Sequence, residues 1–162
     1  MTAQPGKKTG GLASARPVQP ADTAFAEVVS LIEQARQRAY QAVNTELVSL
    51  YWQVGGYISA KLASAEWGDG VVVSLAQHLA RHMPGLRGFS VQNLWRMRQL
   101  HETYRGDEKL SALVRALPWT HNLIILTQSK RPEEREFYLR MAVQQRWGSR
   151  ELERQLRLGA FE

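Results

Sequence analysis

The sequence predicts an all-α fold, built on one long helix and a helix-turn-helix or winged-helix-like unit. Three observations predict it. Apolar residues recur at three- and four-residue steps through most of the chain. No pair of alternating, strand-like runs stands out, and there is no internal repeat. The breaks between periodic stretches fall at Gly, Pro and capping residues.

Residues 1–20 are rich in Gly, Pro, Ala and Lys without periodicity and read as a disordered basic tail; residues 21–162 read as a single helical domain. Asp22 or Thr23 opens the long helix. Phe25, Val28, Ile32, Ala35, Ala39, Val43, Leu47, Leu50, Val54 and Ile58 carry its period over about forty residues, to near Ser64. Gly55 and Gly56 inside it predict a bend or the close approach of another backbone. Such length is unusual in a small domain and points to a partner chain.

Trp67-Gly68-Asp69-Gly70 is a turn by composition. A helix over Val71–Met83 follows, with Val72, Leu75, Ala76, Leu79 and Met83 on one face. Ser90 is a good N-cap for the next helix, and Phe89 with Leu94 has the spacing of a hydrophobic staple. Asn93 stands where a full capping box wants Glu or Gln. Beyond Arg105-Gly106-Asp107, a short helix from Lys109 to Leu117 stops at Pro118. Thr120 is placed to cap an apolar helix through Gln128, Pro132 to start one running to about Arg146, and Ser149 to cap Arg150–Leu158.

Charge sharpens the functional reading. The net charge of +6 is uneven: residues 21–80 carry −3, whereas residues 81–105 carry +4 through Arg81, Arg87, Arg96, Arg98 and Arg105 against Glu102. A basic excess on a turn and the helix after it suits a polyanion. On that helix Gln92, Arg96, Gln99 and Thr103 share a face, opposite Leu94, Met97, Leu100 and Tyr104. Arginine and glutamine suit guanine and adenine edges in duplex DNA. A polar stripe most often simply faces water. The Met83–Phe89 turn is also longer than the usual three or four residues of a helix-turn-helix.

Other chemistry is sparse. Without cysteine there is no disulfide, thiolate metal site or thiol nucleophile, and the chain fits a reducing cytoplasm. No apolar run is long enough to span a bilayer, and the two N-terminal lysines precede no apolar signal core. His78 and His82 lie one helical turn apart but lack a third ligand in sequence, so no metal or cofactor is expected. Asp107-Glu108-Lys109 reads as a helix cap, because three adjacent residues diverge rather than converge on an ion. No phosphate loop, GxSxG elbow or dinucleotide fingerprint is present. The five tryptophans, each in or beside a helix, read as packing anchors.

Taken in order, the landmarks resemble a known family. Asn44–Gly55 with Tyr51 and Trp52, Trp67-Gly68, Gly88-Phe89-Ser90 with Asn93-Leu94 and Met97-Arg98, Trp119-Thr120-His121, Glu136-Phe137-Tyr138, and Trp147 with Arg150-Glu151-Leu152 are similar to the N-terminal helical domain of the YhcG family. These bacterial proteins usually continue into a PDDEXK-type nuclease domain. The resemblance implies a module that binds DNA or mediates association beside the nuclease. The sequence stops at Glu162, where usual members go on, and holds no PDDEXK carboxylate set, so it reads as a stand-alone module or a fragment without catalysis.

Two expectations follow. A non-catalytic DNA-binding module, tied to a nuclease or mobile-element setting, would use Arg87, Arg96, Arg98 and Arg105 on phosphates and Gln92, Arg96 and Gln99 on base edges. An interaction module would instead use the long helix, with Tyr51, Trp52, Tyr57 and its apolar stripe as the surface, to bind another copy or a separate nuclease subunit.

Overall fold

The computed structural model describes residues 2, 20–68 and 70–162. Most of the expected tail, and Asp69 of the expected turn, lie outside them. Among the described residues seven helices are formed: α1 (Pro20–Ala63), α2 (Gly70–His82), α3 (Val91–Tyr104), α4 (Glu108–Ala116), α5 (Trp119–Gln128), α6 (Pro132–Gln144) and α7 (Ser149–Arg157). No strand occurs among the described residues, so they supply no hairpin for a wing. The chain divides into two compact units inside α1, one ending at Gln37 and one beginning at Arg38. In the first unit, every residue from Thr23 to Gln37 is exposed.

The second unit holds the core. Its larger cluster gathers Val48 of α1 with Leu100, Tyr104, Val114, Ile125, Leu139 and Leu152. A smaller cluster joins Tyr51 and Ile58 of α1 to Val72, Leu94 and Met97. Trp52, Trp67, Trp95, Trp119 and Trp147 all pack against one cluster or both, as anchors between helices.

Local chemistry sets the boundaries. Asp107 caps α4 by accepting from the Lys109 and Leu110 amides at 2.9 and 3.2 Å. At its far end the fully buried Asn122 donates through Nδ2 to the carbonyls of Val114, Leu117 and Pro118, satisfying groups that a helix end leaves open. Pro132 occupies the first turn of α6. Two caps differ from the expectation. The first turn of α5 begins at Trp119 behind Pro118, so Thr120 lies inside the helix, and α7 begins at Ser149 behind Gly148.

Gly55 decides how α1 meets α3. A Cβ there would collide with the carbonyl of Met97, so only glycine lets the two backbones come this close. Of the two predicted uses of the glycine pair, close approach is the one found.

Candidate nucleic-acid interface

The α2–α3 turn is built from its small residues. Gly88 adopts φ +91°, and a Cβ on it would meet the Tyr51 hydroxyl beneath. Ser90 then caps α3, its Oγ accepting from the Asn93 amide at 3.2 Å. Asn93 takes a different part from the Glu or Gln of a capping box: its Nδ2 donates back to the Gly88 carbonyl at 3.2 Å and pins the turn. Leu94, Met97 and Leu100 have no exposed surface and Tyr104 almost none, so the rotation of α3 about its own axis is fixed.

That rotation turns Gln92 and Gln99 outward, with Arg96 and Thr103 half-buried between them. Arg96 donates from Nη1 to Oε1 of Gln99 at 2.9 Å, which orients both side chains on the exposed face. Arg96 has no carboxylate partner among the described residues, so its charge is not offset by an ion pair.

Arg98 behaves differently. Its Nε donates to Oε1 of Glu102 at 2.9 Å, and the same oxygen accepts from Ser59 of α1 at 2.8 Å. Its guanidinium also lies 5.3 Å from the Trp95 ring centre. Burial pushes the Glu102 carboxyl up, but the Ser59 and Arg98 contacts outweigh this and hold it below the ordinary range. Arg98 therefore braces α3 against α1 with its charge offset, rather than standing free for phosphate. Arg105 is exposed at the C-cap of α3, on the same flank as Arg98 and about 120° from Gln92 and Gln99 around the helix. Arg87 is exposed in the turn, beside an open groove lined by Leu79, Leu86, Phe89 and Ser90. Of the six expected contacts, Gln92, Arg96 and Gln99 share one face, whereas Arg87 lies in the turn before it and Arg98 and Arg105 on a separate flank.

The expected interaction residues divide too. Tyr51 is 4% exposed and packs against Phe89 and Trp119, which corrects its assignment to a surface. Trp52 is half-buried, edge-on to His101 at 4.8 Å. Tyr57 alone of the three points mainly outward. The reason is rotational: Tyr51 and Trp52 belong to the side of α1 that also carries Val48, Gly55 and Ile58, all buried.

His101 was absent from the sequence expectations. It packs over Gly56 and beside Trp52, its Nδ1 is buried without a partner, and burial, reinforced by the charge of Arg105, lowers its pKa. Only its place at the α1–α3 seam reveals it. His78 and His82 stack with ring centres 3.9 Å apart, and His82 Nδ1 lies 3.0 Å from the His78 carbonyl. Groups of three or more potential metal ligands do not occur among the described residues. Nor is any helix of these residues long and apolar enough to cross a membrane.

The landmark residues of the sequence have structural work to do. His121 Nε2 binds the Trp147 carbonyl at 2.7 Å and ties α5 to the segment before α7, while Gly88, Ser90 and Asn93 form the turn. No curated protein and no solved structure matches the chain significantly. A family model, the DUF1016 N-terminal domain, matches residues 27–162, from within α1 through α7. The chain belongs to the DUF1016 N-terminal domain family, the family whose YhcG-type landmarks its sequence carries.

Proposed function

We propose that this chain is a non-catalytic, cytoplasmic DNA-binding module that serves a bacterial nuclease or mobile-element system. The observation that carries the reading is the outward face of α3: Arg96 and Gln99 are hydrogen-bonded to each other beside exposed Gln92, on a helix whose opposite side is locked in the core. An arginine without a carboxylate partner can give two parallel bonds to guanine, and glutamine can do the same with adenine. Exposed Arg87 and Arg105 at the two ends of α3 add charge for phosphate. Fluorescence anisotropy with mixed-sequence duplex DNA over a salt series tests it. The expected result is binding that weakens steeply with salt and that Arg96→Ala reduces. Absence of binding at low salt sinks the reading.

A second reading is association through α1, with another copy or with a separate nuclease subunit. It is favoured by Phe25, Ile32, Val43 and Leu50, which are 42–67% exposed on that helix. Sedimentation of the chain alone and mixed with a YhcG-type nuclease domain tests it. A monomer in both samples sinks it. The two readings are compatible, because DNA-reading domains commonly dimerise.

A further inference from the structure

We propose that the groove between α2 and the start of α3 docks an acidic amphipathic helix of a partner protein, its leucine-like anchors flanked by carboxylates. The site lies wholly within the second unit, and its lining includes neither a residue of α1 nor the Arg96 and Gln99 pair.

The floor of the groove is apolar. Leu79 and Ala80 of α2, Leu86 and Phe89 of the turn and Val91 of α3 line an open hollow of about 530 Å³. That volume lies within the range of about 300–1,000 Å³ typical of clefts that take a ligand. A second hollow shares Gln77 and Ala80 with it and adds Arg81. The floor is preformed: Phe89 rests edge-on against Tyr51 at 5.7 Å, and Asn93 pins the Gly88 carbonyl beside it. Leu86 is 39% exposed and Met83, just past α2, 51%, so apolar surface is left here for a partner to cover.

Charge selects the occupant. Arg87 lines the groove and Arg81 the hollow joined to it, and neither has a carboxylate partner among the described residues. From Gly70 to His101 the sequence holds no Asp or Glu at all. Guanidinium groups beside an apolar floor match a chain that carries carboxylates beside apolar anchors. A nucleic acid would satisfy the arginines but set sugar and phosphate, which favour water, against Leu79, Leu86 and Val91. No strand occurs among the described residues, so no sheet edge is offered to an extended peptide. A helix laid in the groove, with anchors at i, i+4 and i+7, is the mode that fits.

Three labelled peptides about four helical turns long test it, with leucine at i, i+4 and i+7 and either glutamate, glutamine or lysine around them. Each is titrated against the full chain in fluorescence anisotropy. The glutamate peptide is expected to bind at micromolar concentrations, about tenfold more tightly than the glutamine peptide, and the lysine peptide not to bind. Leu86→Gln and, separately, Ala80→Glu are expected to weaken the glutamate peptide about tenfold, with helix content unchanged because both positions are exposed. Should Leu86→Gln disturb the fold, Ala80→Glu decides. Equal binding of all three peptides, or of none, overturns the acidic partner. Equal binding of a glutamate peptide with serine in place of leucine overturns the apolar anchors, and full binding by both variants overturns the groove. Single-stranded oligothymidine that binds where the peptides do not, and is lost in both variants, assigns the groove to nucleic acid instead. The peptide titrations contain no DNA, so their failure leaves the α3 reading standing, and failure of duplex binding leaves the groove standing.

Discussion

Helices α1 and α3 are both two-sided, and their inner sides meet at Gly55 and Met97. Their outer sides are chemically opposite. Within the second unit the outer side of α1 carries the exposed Tyr40, Val43, Leu47 and Leu50, whereas that of α3 carries Gln92, Arg96 and Gln99. An apolar face in water is stabilised by being covered, and a polar one keeps its solvation until a ligand of matching donors and charge replaces it. On the readings proposed for them, the two surfaces would select different partners.

The largest expected effect comes from breaking that seam. Gly55→Ala forces a Cβ into the Met97 carbonyl, a backbone group that cannot rotate away, and is expected to cost about 3 kcal/mol in urea denaturation. Val43→Ala, on the outer side of the same helix, is expected to change the stability of the monomer by no more than about 0.5 kcal/mol. Similar midpoints for the two variants would contradict the division of α1 into an inner and an outer side.

A second test sharpens the α3 side. Arg96→Ala is expected to weaken duplex binding about tenfold and lower the salt slope by about one. Arg98→Ala is expected to cost less, about threefold, because Glu102 already offsets that charge. Equal losses in anisotropy titrations would mean that Arg98 leaves Glu102 to reach DNA. Ser90→Ala comes next. It removes the acceptor for the Asn93 amide and is expected to cost about 1 kcal/mol of stability, read as a lower urea midpoint.

These two helices also mark how far the sequence could be read. On α3 one apolar stripe and one cap determine everything: Leu94, Met97, Leu100 and Tyr104 turned inward as their spacing required, and Ser90 capped as its hydroxyl allows. Helix α1 carries apolar residues on two sides, and periodicity alone does not say which meets the core. The stripe through Phe25, Val43 and Leu50 is exposed, while Val48, Tyr51 and Ile58 are buried, so the assignment of Tyr51 to a surface was inverted. Gly55 held the information, since a glycine inside a helix marks the side where another backbone arrives. The pairing of Arg98 with Glu102 was legible as a four-residue spacing, but the Ser59 contact that fixes it to α1 joins residues too far apart in sequence for local spacing to reveal. The caps of α5 and α7 went astray because Thr120 and Ser149 are equally acceptable inside a first turn.

The smallest expected effect is a pH dependence at the seam itself. His101 packs over Gly56 and beside Trp52, where burial and then the charge of Arg105 oppose its protonation more strongly than Glu102 favours it, so its folded pKa lies below the ordinary 6.5. As pH falls through 6.5 the unfolded chain takes up this proton first, and protonation therefore pulls the equilibrium toward unfolding. The stability His101 contributes is complete above that pH and declines as the medium is acidified, levelling off only below the folded pKa. Glu102 acts in a lower window: its carboxyl is held below 4.5, so its contribution is lost on going into more acidic solution. Melting temperatures measured at about pH 7.5 and about pH 5.5 lie on either side of the onset of the His101 window, and both stay above the Glu102 window. The wild-type chain is expected to melt lower at the acidic value, and His101→Gln, which keeps a polar group of similar reach but cannot titrate, to show a smaller drop. An identical drop in both proteins would assign the pH response to a group outside the α1–α3 seam.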